Sequence, residues 1–171
     1  MFFRALWGGM KIVFVQTGGT IDKEYPRVRR GYAFEVGEPA VGRILGRVDP
    51  RFEFEVLSVL RKDSLEIDEE DRERVFEACA SAASDRVVVT HGTDTMIETA
   101  RKLSGIKTKT IVLTGSMKPE RFSESDAAFN VGTAIGAVSV LERGTYVAMN
   151  GRVYPWDRVG RDPETGAFIE E

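Results

Sequence analysis

Lys-Ile-Val-Phe-Val-Gln-Thr-Gly-Gly-Thr-Ile, residues 11–21, is a run of β-branched and apolar residues that ends in a pair of glycines. The run predicts a buried strand over Lys11–Gln16, and the glycines predict a sharp turn at its end. The pattern recurs at Arg86–Thr90, before His-Gly-Thr-Asp, and at Thr110–Thr114, before Gly-Ser-Met. The chain therefore contains several short strands that end in turns rich in glycine and hydroxyl groups.

Helical segments separate these strands. Asp68 is a predicted N-cap, a second helix is expected to end at Gly105, and a third is expected to begin at about Ser125. The side chains expected on the buried helix faces are Val75, Cys79 and Ala82 in the first, Met96, Ala100 and Leu103 in the second, and Val131, Ile135, Val138 and Leu141 in the third. Further strands are predicted at Phe52–Leu60 and Thr145–Met149.

Strands that alternate with helices predict right-handed crossovers and a mostly parallel sheet covered on both faces. The expected fold class is an α/β three-layer sandwich of the flavodoxin or Rossmann type, formed by residues 1–171 as one domain with residues 1–9 as a loose extension. Residues 52–60 are expected to run from the sheet margin into a covered interior. Residues 154–171 are expected to form short irregular elements. Ligands of such sheets bind at the carboxyl ends of the strands, so the three turns should converge there.

Composition narrows the class of function. The 24 basic and 27 acidic residues give a net charge of −3, which argues against a nucleic-acid partner. No apolar run has the length of a membrane span, and the amino terminus lacks a secretory signal, so we expect a cytoplasmic protein without a membrane partner. One cysteine and one histidine make a disulfide, a histidine metal site or a Ser-His-Asp triad hard to assemble. We therefore expect chemistry based on hydroxyls, carboxylates and amines, with no metal or other cofactor.

Two threonines in the turns are candidate nucleophiles for amide hydrolysis. Thr20 and Thr93 each follow a glycine, and glycine turns let backbone N–H groups approach a substrate and stabilise an oxyanion. Asp94, expected in the first turn of a helix, and Tyr25, on a charged loop over 22–30 that resembles a lid, are the candidate bases. Each residue also has an ordinary structural interpretation as a helix cap or turn residue.

Two other reactive side chains have structural interpretations only. His91 follows a buried strand, and we expect it to be packed or hydrogen-bonded rather than to act as a base. Cys79 is expected to be an inert core residue.

Together the motifs Thr17–Ile21, His91–Met96 and Thr114–Pro119, followed by Phe129-Asn130 and Val147–Asn150, resemble the signatures of bacterial-type L-asparaginases. The resemblance covers most of the chain from Met10 to about Gly151 and corresponds to the amino-terminal domain of those enzymes. It implies hydrolysis of L-asparagine to L-aspartate and ammonia through an acyl-enzyme, with glutamine as a poorer substrate and no cofactor.

The resemblance also implies a site. Its catalytic positions fall on Thr20, Tyr25, Thr93, Asp94 and Arg161, and its substrate-binding positions fall on Gly19, Asp63, Ser64, Gly92 and Ser116. Arg161 stands near the place of a catalytic lysine, and an arginine stays protonated and cannot act as a base. Its expected role is to keep Asp94 ionised.

Two other functions remain open at this stage. One is a ligand-binding or regulatory module on the same fold with little catalysis, and the other is an amidotransferase subunit that supplies ammonia to a partner. A one-domain hydrolase needs shelter for its site, so we also expect a homodimer or higher homo-oligomer with an interface near the active-site edge. Phe2, Phe3 and Trp7 are a second candidate interface patch.

Overall fold

A computed structural model describes residues 9–26 and 34–171. In chain order the strands are β1 (Lys11–Gly18), β2 (Lys23–Glu24), β3 (Glu35–Val36), β4 (Glu53–Lys62), β5 (Arg86–Thr90), β6 (Thr110–Thr114), β7 (Gly144–Met149), β8 (Arg152–Pro155), β9 (Val159–Arg161) and β10 (Phe168–Glu170). The helices are α1 (Ala40–Leu45), α2 (Glu69–Ser81), α3 (Met96–Leu103) and α4 (Ala127–Val140), and short 3-10 helices span Thr20–Asp22, Ser64–Glu66 and Trp156–Arg158. Phe2, Phe3 and Trp7, and residues 27–30 of the predicted lid, lie outside the described residues.

The central sheet has six strands in the order β4-β1-β5-β6-β7-β8. The first five are parallel to their neighbours, and β8 is antiparallel to β7. In the middle of the sheet Val13 of β1 pairs with Val87 of β5, which in turn pairs with Ile111 of β6. Helices connect the parallel strands, so the predicted three-layer α/β class is confirmed.

Each face of the sheet has its own hydrophobic core because side chains alternate along a strand. Val13 and Val15 of β1 belong to the core under α2 and α3, together with Val75, Cys79, Met96, Ala100 and Leu103. Ile12 and Phe14 belong to the opposite core under α1 and α4, which contains Val41, Ile44, Val131 and Val138. The predicted buried face is confirmed in full for α3, at Val75 and Cys79 for α2, and at Val131 and Val138 for α4. The other residues predicted for these faces, Ala82, Ile135 and Leu141, are only partly buried.

The capping prediction for α2 is also confirmed. Asp68 accepts a hydrogen bond from the Asp71 N–H at 2.9 Å, and the Asp71 carboxylate accepts one from the Asp68 N–H, which forms a reciprocal capping box. Asp71 is itself buried and pairs with Lys62 at 2.6 Å. This pair ties the start of α2 to the end of β4.

Three expectations about local structure were wrong. β4 does not enter a covered interior: it is an edge strand, and Leu60 is its single fully buried side chain. Residues 154–171 are more regular than expected, because they complete β8 and form the antiparallel pair β9–β10. Asp94 is not in the first turn of a helix, because Thr95 is the N-cap and α3 begins at Met96.

Threonine hydroxyls fasten the carboxyl edge of the sheet. Thr17 donates to the Thr90 carbonyl at 2.9 Å, and Thr114 donates to the Ala148 carbonyl at 2.8 Å. The His91 N–H adds a bond of 2.9 Å to the Thr114 carbonyl. These hydrogen bonds connect four adjacent strands, β1, β5, β6 and β7, so they fix the strand ends from which the turns begin.

Candidate active site

Two glycine turns touch at the carboxyl edge of the sheet. Gly19, which follows β1, has φ 82°, and a Cβ there would lie 2.3 Å from the N and Cα atoms of Gly92, which follows β5. A Cβ on Gly92 would lie 2.6 Å from the Ser64 Oγ. Only glycine allows this approach, because any side chain would separate the turns. The structure thus brings together three of the predicted substrate-binding positions.

The two candidate nucleophiles each follow one of the touching glycines. Thr20 begins the 3-10 helix after β1 and is half-buried, whereas Thr93 is nearly buried. Within residues 9–26 and 34–171, no hydrogen bond uses the Thr20 hydroxyl or the backbone N–H groups of Gly92 and Thr93. An acyl-transfer site needs a hydroxyl as nucleophile and free N–H groups as donors to the oxyanion, and both kinds of group occur beside the contact between the two glycines.

The 3-10 helix after β4 lies against the two touching glycine turns. Ser64 is buried against Gly92, and its carbonyl accepts a hydrogen bond of 2.7 Å from the Thr95 hydroxyl. Asp63 caps this 3-10 helix at the Leu65 N–H and pairs with Lys23 at 2.7 Å. The hydrogen bond from Lys23, together with these contacts, holds the pKa of Asp63 below its usual value. Both carboxylate oxygens of Asp63 are therefore engaged by the protein.

Arg161 reaches the site, but it does not contact the group predicted for it. Its Nη1 donates to the Thr93 carbonyl at 3.0 Å, and its guanidinium stacks 4.6 Å from the Phe168 ring centroid. In the described part of the chain Asp94 is exposed and forms no ion pair with Arg161. The contact that the structure gives Arg161 is therefore with the Thr93 backbone and not with Asp94.

Tyr25 directly follows β2. Its side chain is 78% exposed and packs on Phe34 with the ring centroids 5.0 Å apart. Asp22, the first residue of the charged loop predicted over 22–30, is fully buried. The Asp22 carboxylate accepts a hydrogen bond from the Ala40 N–H at 2.7 Å and thereby joins the 3-10 helix of Thr20 to α1.

The loop after β6 supplies Ser116. Its hydroxyl is buried and donates to the Lys118 carbonyl of the same loop. Asp126 accepts hydrogen bonds from the N–H groups of Met117 and Lys118, and Asn130 donates to the Gly115 carbonyl at 3.0 Å. Asp126 was missed in the sequence; its signal was an aspartate at the start of a predicted helix, a position typical of residues that bind backbone N–H groups.

His91 is a structural residue, as predicted. It is fully buried, its Nδ1 lies 2.7 Å from the Gly92 carbonyl, and its Nε2 lies 2.8 Å from the Thr99 hydroxyl. The carbonyl can only accept, so Nδ1 carries the proton and Nε2 accepts from Thr99. Burial lowers the pKa of His91 to about 4. The ring is neutral and hydrogen-bonded on both sides, so it fixes the carbonyl of the site glycine.

The described residues contain no group of three or more histidine, cysteine, aspartate or glutamate side chains arranged to hold a metal ion. Within the same residues, none of the helices combines the length and the apolar composition that crossing a bilayer demands.

A mostly parallel sheet with glycine and threonine turns meeting at its carboxyl edge defines an α/β protein of the class whose ligands bind at that edge. The chain belongs to the asparaginase family: residues 11–161 match the family model described as Asparaginase, N-terminal.

Relatives of known structure and name agree with this assignment. The L-asparaginase of Thermococcus kodakarensis is 32% identical over 158 residues, which cover 89% of this chain and 48% of that protein. A solved structure of the thermostable L-asparaginase from Thermococcus kodakarensis superposes with a TM-score of 0.81 at 30% identity and covers 94% of this chain and 51% of that one. A glutamyl-tRNA(Gln) amidotransferase subunit of Methanococcus vannielii is 39% identical over 69 residues, 39% of this chain and 16% of that protein. The chain spans about half the length of the L-asparaginase that it matches.

Proposed function

We propose that this chain hydrolyses the side-chain amide of L-asparagine to L-aspartate and ammonia, with Thr20 as the nucleophile. The contact between Gly19 and Gly92 carries the proposal, because Thr20 and Thr93 each directly follow one of these two glycines at the edge where ligands of such sheets bind. The names of the relatives point to the same substrate class. Glutamine, one methylene longer, is the expected poorer substrate.

The chemistry divides into two steps. In the first, the Thr20 oxygen attacks the amide carbon, the C–N bond breaks, and the nitrogen leaves as ammonia after it receives the proton that the hydroxyl gave up. In the second, water attacks the resulting ester, releases aspartate and restores the hydroxyl. The free N–H groups of Gly92 and Thr93 are the candidate donors to the oxyanion of each step.

The proton acceptor is one of two residues. Asp94 and Tyr25 both have exposed side chains, whereas His91 is removed from this role by its burial and its two hydrogen bonds. Arg161 positions Thr93 through its carbonyl and takes no proton. In this proposal Ser64, which is buried against Gly92, Ser116 and Asp63 bind the substrate, and Asp63 does so from the position that its hydrogen bond with the Leu65 N–H fixes.

The direct test is product formation by the purified protein. With L-asparagine we expect ammonia and aspartate in equal amounts, slower turnover of L-glutamine, and no effect of a metal chelator, since the proposal uses no metal or other cofactor. A protein that binds aspartate but turns over no amide would instead be a ligand-binding or regulatory module, and the proposal would be wrong.

A second candidate function is ammonia supply to a partner enzyme, which the similarity to an amidotransferase subunit favours. The two functions differ in the fate of ammonia. Free release at full rate by the isolated chain supports the hydrolase, and turnover that appears only with a partner protein supports the amidotransferase subunit.

We also propose that residues 1–171 form one domain, and that the protein is cytoplasmic and assembles as a homodimer or higher homo-oligomer. Helix α4 supports assembly: no charged residue occurs in it, and it exposes 62% of Phe129 and 81% of Val140. A helix that is apolar on all sides is typical of a buried position. Sedimentation at micromolar concentration tests this, and a fully active monomer of 19.0 kDa would contradict it.

A further inference from the structure

Tyr25 follows the first strand of a very small ribbon. β2 and β3 pair antiparallel over two residues each, with Lys23 opposite Val36 and Glu24 opposite Glu35. A two-stranded ribbon of this size is not stable by itself in water. Whatever holds the ribbon in place also holds Tyr25.

One side of the ribbon is fastened to the 3-10 helix after β4. The Lys23 Nζ lies 2.7 Å from the Asp63 Oδ2. Asp63 is fixed from behind, because its Oδ1 accepts the hydrogen bond that caps this 3-10 helix at the Leu65 N–H. The pair therefore joins the ribbon to the 3-10 helix that contains Ser64.

The other side is fastened to the loop after β6. The Glu24 carboxylate lies 2.9 Å from an Arg121 nitrogen, and its side chain is only 12% exposed. It lies flat on Gly37, where an added Cβ would come within 2.3 Å of the Glu24 Oε1. Glu24 is thus held between the backbone after β3 and the Arg121 guanidinium.

The loop that bears Arg121 is itself anchored to the body of the protein. The Glu120 N–H donates to the Ile21 carbonyl at 3.2 Å, next to Thr20, and the buried Glu120 carboxylate pairs with Arg43 at 2.6 Å. Phe122 of the same loop packs on Phe34, which itself packs on Tyr25, with the Phe122 and Phe34 ring centroids 5.8 Å apart. Arg121 therefore holds the ribbon from a fixed support.

We propose that Lys23 and Arg121 are positioning residues that clamp the ribbon from its two sides and fix Tyr25 relative to Thr20. Successive side chains of a strand point to opposite faces, so the ion pairs of Lys23 and Glu24 lie on opposite faces of the ribbon. The ribbon supplies the cation of one pair and the anion of the other. The inference rests on the proposed function, because it gives Tyr25 a role in the reaction.

Loss of the clamp should change KM and kcat without changing global stability, whereas loss of residues that only stabilise the fold would lower global stability. Each pair is partly exposed and contributes little to global stability, so losing it leaves the folded population unchanged. When the clamp is lost, substrate binding must supply the free energy that orders the released ribbon, and KM rises. A misplaced Tyr25 lowers kcat. Salt weakens exposed pairs, so added salt reproduces the effect in the unmodified protein.

The test compares Lys23→Gln, Arg121→Gln and the double variant with two matched controls. Lys11→Gln breaks a Lys–Glu pair of 2.8 Å, and Arg152→Gln breaks an Arg–Glu pair of 3.2 Å, both away from the ribbon. We expect each clamp variant to lower kcat/KM for asparagine roughly 5- to 10-fold, and the double variant more, since about 1 kcal/mol corresponds to 5-fold. Both controls should leave kcat/KM unchanged at the same melting temperature.

Two further comparisons separate positioning from other causes. The charge-retaining variants Lys23→Arg and Arg121→Lys should recover most of the activity. Lys23→Gln also frees the Asp63 carboxylate, whereas Arg121→Gln does not, so equal losses at both residues indicate the ribbon rather than Asp63. Salt at about 0.5 M, in the range where screening acts over only a few Å, should lower kcat/KM of the unmodified protein about as much and leave the double variant unaffected.

Hydrogen exchange of the peptide over residues 20–26 gives a readout independent of catalysis. We expect faster exchange in the clamp variants and unchanged exchange in the controls. Unchanged exchange, or faster exchange with unchanged kcat/KM, would overturn the proposal. An unmodified protein that releases no ammonia refutes the proposed function itself, and the role given to the clamp in positioning a catalytic group is then overturned with it.

Discussion

Replacing Asp22 by asparagine should stabilise the protein above neutral pH and leave its stability little changed near pH 4. The Asp22 side chain is fully buried, and one oxygen, Oδ2, has no hydrogen-bond partner among the described residues. Burial raises the pKa of Asp22 to about 7, and the Ala40 N–H, Gln16, Arg43 and Arg61 offset only part of that effect. The native state therefore holds a proton that the unfolded chain gives up at about pH 4.

The sign follows from proton binding. Between about pH 4 and pH 7 the native state binds more protons at Asp22 than the unfolded state, so stability falls as pH rises through this window. The Asp22 pKa differs by about three units between the native and the unfolded state, which corresponds to about 4 kcal/mol of folding stability. This stability is fully lost above pH 7. The asparagine side chain would keep an acceptor for the Ala40 N–H and carry no charge, so Asp22→Asn removes the loss.

His91 acts in the opposite direction over part of the same window. Burial lowers its pKa to about 4, so the native state binds fewer protons than the unfolded state up to about pH 6.5, and stability from this group rises with pH. The two effects nearly cancel in the unmodified protein below pH 6.5. The difference between Asp22→Asn and the unmodified protein isolates Asp22, because His91 is present in both.

Urea unfolding at pH 4, 5, 6, 7 and 8 measures that difference. We expect it to grow by up to about 4 kcal/mol from pH 4 to pH 8 in favour of Asp22→Asn. Asp71→Asn is the matched control with the reverse sign: burial raises the Asp71 pKa, but the hydrogen bond from Lys62 and neighbouring groups lower it overall, so this variant should lose most stability at neutral pH. Parallel pH curves for Asp22→Asn and the unmodified protein would show instead that the Asp22 pKa is the same in the native and the unfolded state.

Three further predictions concern the site. Thr93→Ala should reduce kcat by at least about 100-fold while its urea midpoint stays near that of the unmodified protein, and an activity within about 3-fold would remove Thr93 from the mechanism. Gly19→Ala should lower the free energy of unfolding by about 3 kcal/mol or more, because alanine is strained at this positive φ and its Cβ would clash with the Gly92 backbone. An unchanged unfolding midpoint would contradict the contact between Gly19 and Gly92. Arg161→Met removes the bond to the Thr93 carbonyl and should lower kcat/KM about 10-fold, whereas kinetics equal to those of the unmodified protein would show that the bond is dispensable.

The sequence was most informative where local pattern and topology agree. Buried parallel strands are uniformly apolar, so Arg86–Thr90 and Thr110–Thr114 were recognised within a residue of their bounds. Because parallel strands end at one edge, the contact of the turns after β1 and β5 was also predictable, although its closeness was not. The N-cap at Asp68 followed from residue type and position.

Other features depend on contacts between distant residues and leave no local signal. Asp22 lies in a strongly charged segment, and its burial arises because the 3-10 helix after β1 is covered by α1, 18 residues further on at Ala40. The pairing of Lys23 with Asp63 joins residues 40 positions apart. Arg161 was placed near the site by resemblance, but its partner, the Thr93 carbonyl, required the structure because a backbone acceptor has no sequence signature.

The central claim is that Thr20 is the nucleophile of an asparagine amidohydrolase. The most direct test is ammonia release from L-asparagine by the unmodified protein and by Thr20→Ala at equal concentration, with the unfolding midpoint of each measured alongside. We predict turnover by the unmodified protein and a loss of at least about 1000-fold in Thr20→Ala, with the midpoint preserved, because the substitution removes the covalent route and only one half-buried hydroxyl. A folded Thr20→Ala variant that retains near-native kcat would contradict the account.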